Sequence, residues 1–161
     1  MKLADFFQQL KLGLPLSESV LLVPDDGGDP PRLVHQGLVI RDRKRWCYQG
    51  CYNAKGYSDA GEAIIWVRTK TLGYEGGVEV WRDTPESDLQ VTLMHELAHH
   101  MDVSKNGFDI NESGLPVESH SGTWTQEYGK IIQYAERKRL ISPEVAEGAQ
   151  SDLASSSDSE T

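Results

Sequence analysis

The chain has 161 residues, 38% apolar and 25% charged, the size and polarity of one domain with a short tail. No apolar run approaches the roughly 18 residues of a membrane span. Lys2, Asp5, Gln8, Gln9 and Lys11 break any export signal, and two cysteines build no disulfide scaffold, so a cytoplasmic protein without membrane association is expected. The net charge of −9 divides into +1 for residues 1–82 and −10 for residues 83–161, which excludes a general polyanion binder and confines any nucleic-acid contact to the first half.

Leu3, Phe6, Phe7 and Leu10 recur at helical spacing and predict a short amphipathic helix within residues 1–16. Val20, Leu21, Leu22 and Val23 predict a strand over 19–24. Asp25 to Pro31, with two adjacent glycines and two adjacent prolines, predicts a loop. Residues 33–41 and 46–52 predict paired strands around the charged stretch 42–45. The clearest strands are 63–70 (AIIWVRTK) and 77–82 (GVEVWR), with the turn between them at 73–77.

The period then changes. Thr84-Pro85-Glu86 predicts an N-cap, a proline at the first helical position and an acid in the first turn. Leu89, Leu93, Leu97 and Met101 follow every four residues, the stripe of a helix reaching about Val103. After a loop over 104–119, Thr123-Trp124-Thr125-Gln126 fits a capping box. The second helix would bury Trp124, Tyr128, Ile131, Ile132 and Ala135 and end across 136–139. Ser142-Pro143-Glu144 starts one or two further turns. Residues 150–161, acidic and serine-rich, predict a disordered tail, leaving 1–149 as a single domain.

Four of the five histidines, His95, His99, His100 and His120, lie within 26 residues. His95-Glu96-Leu97-Ala98-His99 is an HExxH sequence inside the predicted helix. Residues four apart share a helix face, so both imidazoles can grip one ion. Catalytic zinc takes three protein ligands plus water. Glu96, about 100° round the helix from His95, stands where a general base can hold that water rather than the metal. Chance alone would place this pattern in roughly one such chain in a hundred.

The third ligand is open to more than one reading. The position six residues after His99 is Lys105, which excludes the metzincin pattern. His120, just before the second helix, is the first candidate, because a loop of about twenty residues can return it to the metal. Glu118 and Glu127 are the alternatives, and either would make a gluzincin-type site. Asp102 shares the histidine stripe and could accept an imidazole N–H, but it reads more simply as a charged residue of the last turn. His100 points off the metal face and reads as a packing or solvated residue.

Arg41, Arg43, Lys44 and Arg45, followed by Trp46, Tyr48 and Tyr52, could meet a nucleic-acid strand. The simpler reading is a charged hairpin tip beside core aromatics, since Asp42 interrupts the run. Cys47 and Cys51 read as reduced thiols, because no other cysteine completes a metal site.

The sequence HELAHH, a loop of about twenty residues, and His120-Ser121-Gly122-Thr123-Trp124 opening an amphipathic helix together resemble the SprT-like zinc metallopeptidases. The resemblance spans residues 79–141, 63 of the 161. It matches His95, His99 and His120 to that family's ligands, Glu96 to its base and Trp124 to its packing aromatic. Ser121 stands where the family has glycine, and its four-cysteine zinc ribbon has no counterpart here.

The resemblance implies cleavage of proteins, in some members of proteins bound to DNA. The expected fold class is α+β and zincin-like, with a small, mainly antiparallel sheet packed on the HExxH helix and a second, C-terminal helix. The expected activity is that of a zinc-dependent metallopeptidase acting on a protein or peptide, with the edge of strand 77–82 pairing the substrate. The alternatives are a zinc hydrolase of non-peptide amides and a zincin-fold binding or virion-type structural protein without turnover. Nucleic acid through residues 41–52 is the less favoured partner.

Overall fold

The structure is a computed structural model that describes residues 1–25, 33–35, 38–40, 49–58, 60–112, 114, 116–117 and 119–158. It is a mixed α+β chain. Among the described residues are four α-helices, α1 (Leu3–Gly13), α2 (Glu86–Asn106), α3 (Gly122–Arg137) and α4 (Pro143–Asp158), and a three-stranded sheet on which α2 packs. That sheet is built from β1 (Val20–Asp25), β4 (Gly50–Asn53) and β5 (Ala63–Arg68), in the order β1-β5-β4. Two antiparallel pairs, β2 (Leu33–His35) with β3 (Leu38–Ile40) and β6 (Lys70–Glu75) with β7 (Val78–Asp83), and a 3-10 turn at Lys55–Tyr57 make up the other described elements.

β5 is central and its five residues Ala63 to Val67 are all buried, which explains a run of apolar residues with no alternation. Ala63, Ile65 and Val67 join the main core, while Ile64 and Trp66 pack with Val23 and Cys51 on the opposite face. β1 lies parallel to β5 and β4 antiparallel to it. The sheet beneath the site therefore mixes both directions, although three of the four strand pairings among the described residues are antiparallel.

Three strand expectations are corrected. Among the described residues of 33–41 and 46–52, β2 pairs with β3, and β4 pairs with β5 instead. The run 63–70 breaks at Thr69, whose backbone N–H donates to the Asp25 carbonyl, so β7 pairs with the new strand β6. The turn between them is Gly76-Gly77 alone. Both have positive φ, 59° and 82°, as a two-residue type I′ hairpin requires.

α2 lies on β4 and β5 and touches α1, α3 and α4. Leu93, Leu97 and Met101 are buried as the stripe predicts, with Leu89 packed at its edge. Each such side chain contributes about 1.5–3 kcal/mol of burial. The helix begins one residue later than expected, at Glu86, because Thr84 is held elsewhere: its N–H donates to the Thr69 carbonyl, and its hydroxyl meets that of Thr71 in β6 at 3.0 Å. α3 buries Trp124, Tyr128, Ile131, Ile132 and Ala135, the expected face. Its N-cap is Ser121, whose carbonyl takes the Thr125 N–H, rather than Thr123.

The largest correction concerns the end of the chain. Residues 150–158, expected as a tail, form the last turns of the 16-residue helix α4. Ser142 Oγ accepts the Val145 N–H at its start, as the expected start signal implies. Val145, Ala146 and Ala149 are buried and Leu153 packs beside them, a stripe of mostly small residues against α2 and α3.

Candidate metal centre

His95 and His99 stand one turn apart on α2, on the side that meets α3. His120 arrives from the α2–α3 connection. α2 stops at Gly107, which adopts a φ of 72°. A bridge between Ile110 and Pro116 and a bond from Val117 N–H to the Asp109 carbonyl then close the loop on itself. Chain direction reverses, and His120 sits one residue before the α3 cap.

The three rings converge by their Nε2 atoms. His120 Nε2 lies 3.2 Å from that of His99 and 3.3 Å from that of His95. The donor atoms of all three lie within 4.8 Å of one another, close enough to bind one metal ion. Trp124 backs the cluster, its ring centroid 5.0 Å from His95, 4.6 Å from His120 and 5.4 Å from His99, on which it stacks. Its indole N–H donates to the His95 carbonyl at 3.4 Å. One buried tryptophan thus fixes the rings that meet and the helix that carries two of them.

Behind the cluster stands a residue that sequence reasoning missed. Asp152 of α4 accepts a hydrogen bond from His95 Nδ1–H at 2.8 Å and a second, also 2.8 Å, from the Tyr128 hydroxyl on α3. Burial pushes the Asp152 carboxyl up, but the bond and charge of His95 and the bond from Tyr128 outweigh it and hold it below the usual carboxylate range. Burial, then the Asp152 charge, raises the Tyr128 phenol, which stays a donor. His99 is held well below the ordinary imidazole value, first by burial and then by the charges of His95 and His120. A neutral imidazole is the form that ligates. The signal for Asp152 was a carboxylate three residues after Ala149 and seven after Val145, on the apolar side of a helix.

Glu96 is 7% exposed and lines, with the three histidines, a cleft of about 750 Å³. β4, from Gly50 to Asn53, also lines it, as do Tyr57 and Phe108, whose rings meet edge to face. β4 ends its sheet among the described residues. Residues of β7, expected beside the metal, are not among those lining this cleft.

The other candidates separate cleanly. Glu127 is buried with its carboxylate on Lys105 at 2.8 Å and Lys130 at 3.5 Å, not in the histidine cluster. Glu118 lies outside the described residues. Asp102 is buried and accepts the Asn106 amide at 2.9 Å. His100 is fully buried in the core: its Nε2–H donates to the Glu18 carbonyl and its Nδ1 accepts from the Tyr52 hydroxyl, both at 2.9 Å. Tyr52 is therefore a core residue. Arg41, Arg43, Lys44, Arg45, Trp46, Cys47 and Tyr48 lie outside the described residues. The Cys51 thiol lies 3.6 Å from Asn53 Oδ1. Among the described residues no helix is long and apolar enough to cross a membrane. Comparison with known proteins finds no matching family model, no matching curated protein and no matching solved structure.

Proposed function

We propose that the chain is a zinc-dependent metallopeptidase of zincin type, related to the SprT-like enzymes, with His95, His99 and His120 as ligands and Glu96 as general base. One observation carries the reading: three imidazoles bring their donor atoms within 4.8 Å of one another beside a cleft-lining glutamate. Four-coordinate zinc with bonds of about 2.0–2.1 Å sets its nitrogen donors roughly 3.3 Å apart. The separations of 3.2 and 3.3 Å from His120 fit that spacing. The donor set also fits, since His95 spends its N–H on Asp152 and leaves Nε2 bare.

Zinc held there supplies a Lewis acid that polarises a carbonyl and makes water acidic near neutral pH. Glu96 takes the proton from the attacking water and returns it to the leaving nitrogen. The cleft, about 750 Å³ and lined in part by β4, has room for an extended chain, which favours a peptide over a small amide. Strand 77–82, expected to pair that chain, does not line it.

Elemental analysis and an unfolded-protein substrate panel test the reading. Wild type should carry one equivalent of zinc, and His120→Ala should lose most of it. Glu96→Gln should retain zinc and lose turnover. Zinc without any turnover in wild type would leave a non-catalytic binding protein.

A further inference from the structure

Asp152 is 57 positions from His95, on the helix that the sequence marks least clearly, yet its carboxylate touches both other helices of the site. The geometry points to a role in the centre itself: we propose that Asp152 is a positioning residue that fixes His95 as the Nδ1–H tautomer, so that α4 is an integral part of the metal site. The inference rests on the three histidines holding a metal.

A carboxylate can only accept, so the 2.8 Å contact puts the proton on Nδ1 and leaves the Nε2 lone pair toward His99 and His120. The ring has no other orientation that keeps both. Turning it over would put Cδ2 against Asp152 and Cε1 in the cluster, losing both contacts. Tyr128 holds the carboxylate from the far side, and its ring lies 5.8 Å from that of His95 and 5.2 Å from that of Trp124. One oxygen of Asp152 takes both bonds, while the other lies 3.5 Å from the Ser156 hydroxyl one turn on. Two features of α4 therefore serve one purpose: the small-residue stripe at Val145, Ala146 and Ala149 seats the helix, and the seat delivers the acid. Binding and docking are then linked, and whatever lifts α4 weakens the metal.

Two measurements decide it. In wild-type apo protein, the ring ¹⁵N shifts of His95 should report a protonated Nδ1 and a bare Nε2; the reverse tautomer overturns the proposal. In chelator competition with zinc, Asp152→Asn should bind about 10–100-fold more weakly than wild type. Tyr128→Phe, which keeps the carboxylate, should lose less. The apo melting midpoints of both variants are followed alongside, and a merely structural Asp152 would lower the midpoint and leave the tautomer and affinity unchanged. Tight binding by wild type with equal binding by Asp152→Asn overturns the role of Asp152 and leaves the metal centre standing. A wild type that binds no zinc overturns both. If Asp152→Asn does not fold, the wild-type tautomer decides.

Discussion

Replacing Gly50 with alanine tests how β4 is seated against α2. A methyl there would lie 2.5 Å from Thr92 Cγ2, 2.9 Å from the Trp66 carbonyl oxygen and 3.2 Å from Glu96 Cγ. Comfortable carbon contacts are about 3.5–4.0 Å. Trp66 contributes backbone from the central strand, and Thr92 is β-branched and stiff in its helix, so neither yields readily. The remaining relief is a shift of β4 away from α2 or displacement of the Glu96 side chain. Overpacking of this kind costs about 1–3 kcal/mol. In a chain of this length each kcal/mol moves the melting midpoint about 2–4 °C, so Gly50→Ala should melt roughly 2–12 °C lower. Metal content should hold, because the three ligands come from α2 and the turn before α3. Turnover should fall further than stability alone explains, toward about 100-fold, since a displacement near 1 Å at the base is enough. Adding Thr92→Ala removes the closest contact and should restore part of the midpoint, which a double-mutant cycle reads directly. Calorimetry and a peptidase assay on the three variants supply the answer. An unchanged midpoint with unchanged turnover in Gly50→Ala would refute the packing of β4 on Glu96.

Trp124→Ala should cost about 3–5 kcal/mol, as for other buried aromatic truncations, and should also release metal because the same ring backs all three histidines; a melt with and without zinc separates the two losses. The apo protein should weaken in acid. His99 and His100 both sit below the ordinary imidazole value of 6.5 because burial disfavours their charged forms. Above 6.5 neither state takes the proton; below it the unfolded chain does first, so stability falls as pH drops toward the folded values. Urea midpoints of apo protein at several pH values check this, and a flat profile from neutral pH into the acid range would contradict it.

What the sequence made legible was local. The HExxH pair is a statement about neighbours four apart, and Leu93, Leu97 and Met101 are the same period read in carbon. α3 was equally plain because its large residues, Trp124 to Ile132, are all on one side. His120 was reachable as one of three candidates because only a closed loop separates it from α2. The strand pairings were not legible, because 33–41, 46–52 and 63–70 all read as strands and nothing in a strand names its partner. Gly50 illustrates the limit: its meaning is the atoms it meets from Thr92 and Trp66, and those are set by tertiary packing.

Asp152 carries that reasoning to its end. The stripe that seats α4 is mostly alanine, and alanine buries too little surface to stand out against a serine- and acid-rich composition. Yet small residues are what let α4 approach α2 and α3 closely enough for a two-carbon side chain to reach His95. The feature that hid the helix is therefore the feature that makes the contact possible. Bulkier residues at Ala146 and Ala149 would have announced the helix and pushed its carboxylate out of range. A histidine cluster spread over α2 and a returning loop is written locally only in His95 and His99; the approach of His120 and the contact from Asp152 exist once the helices have packed.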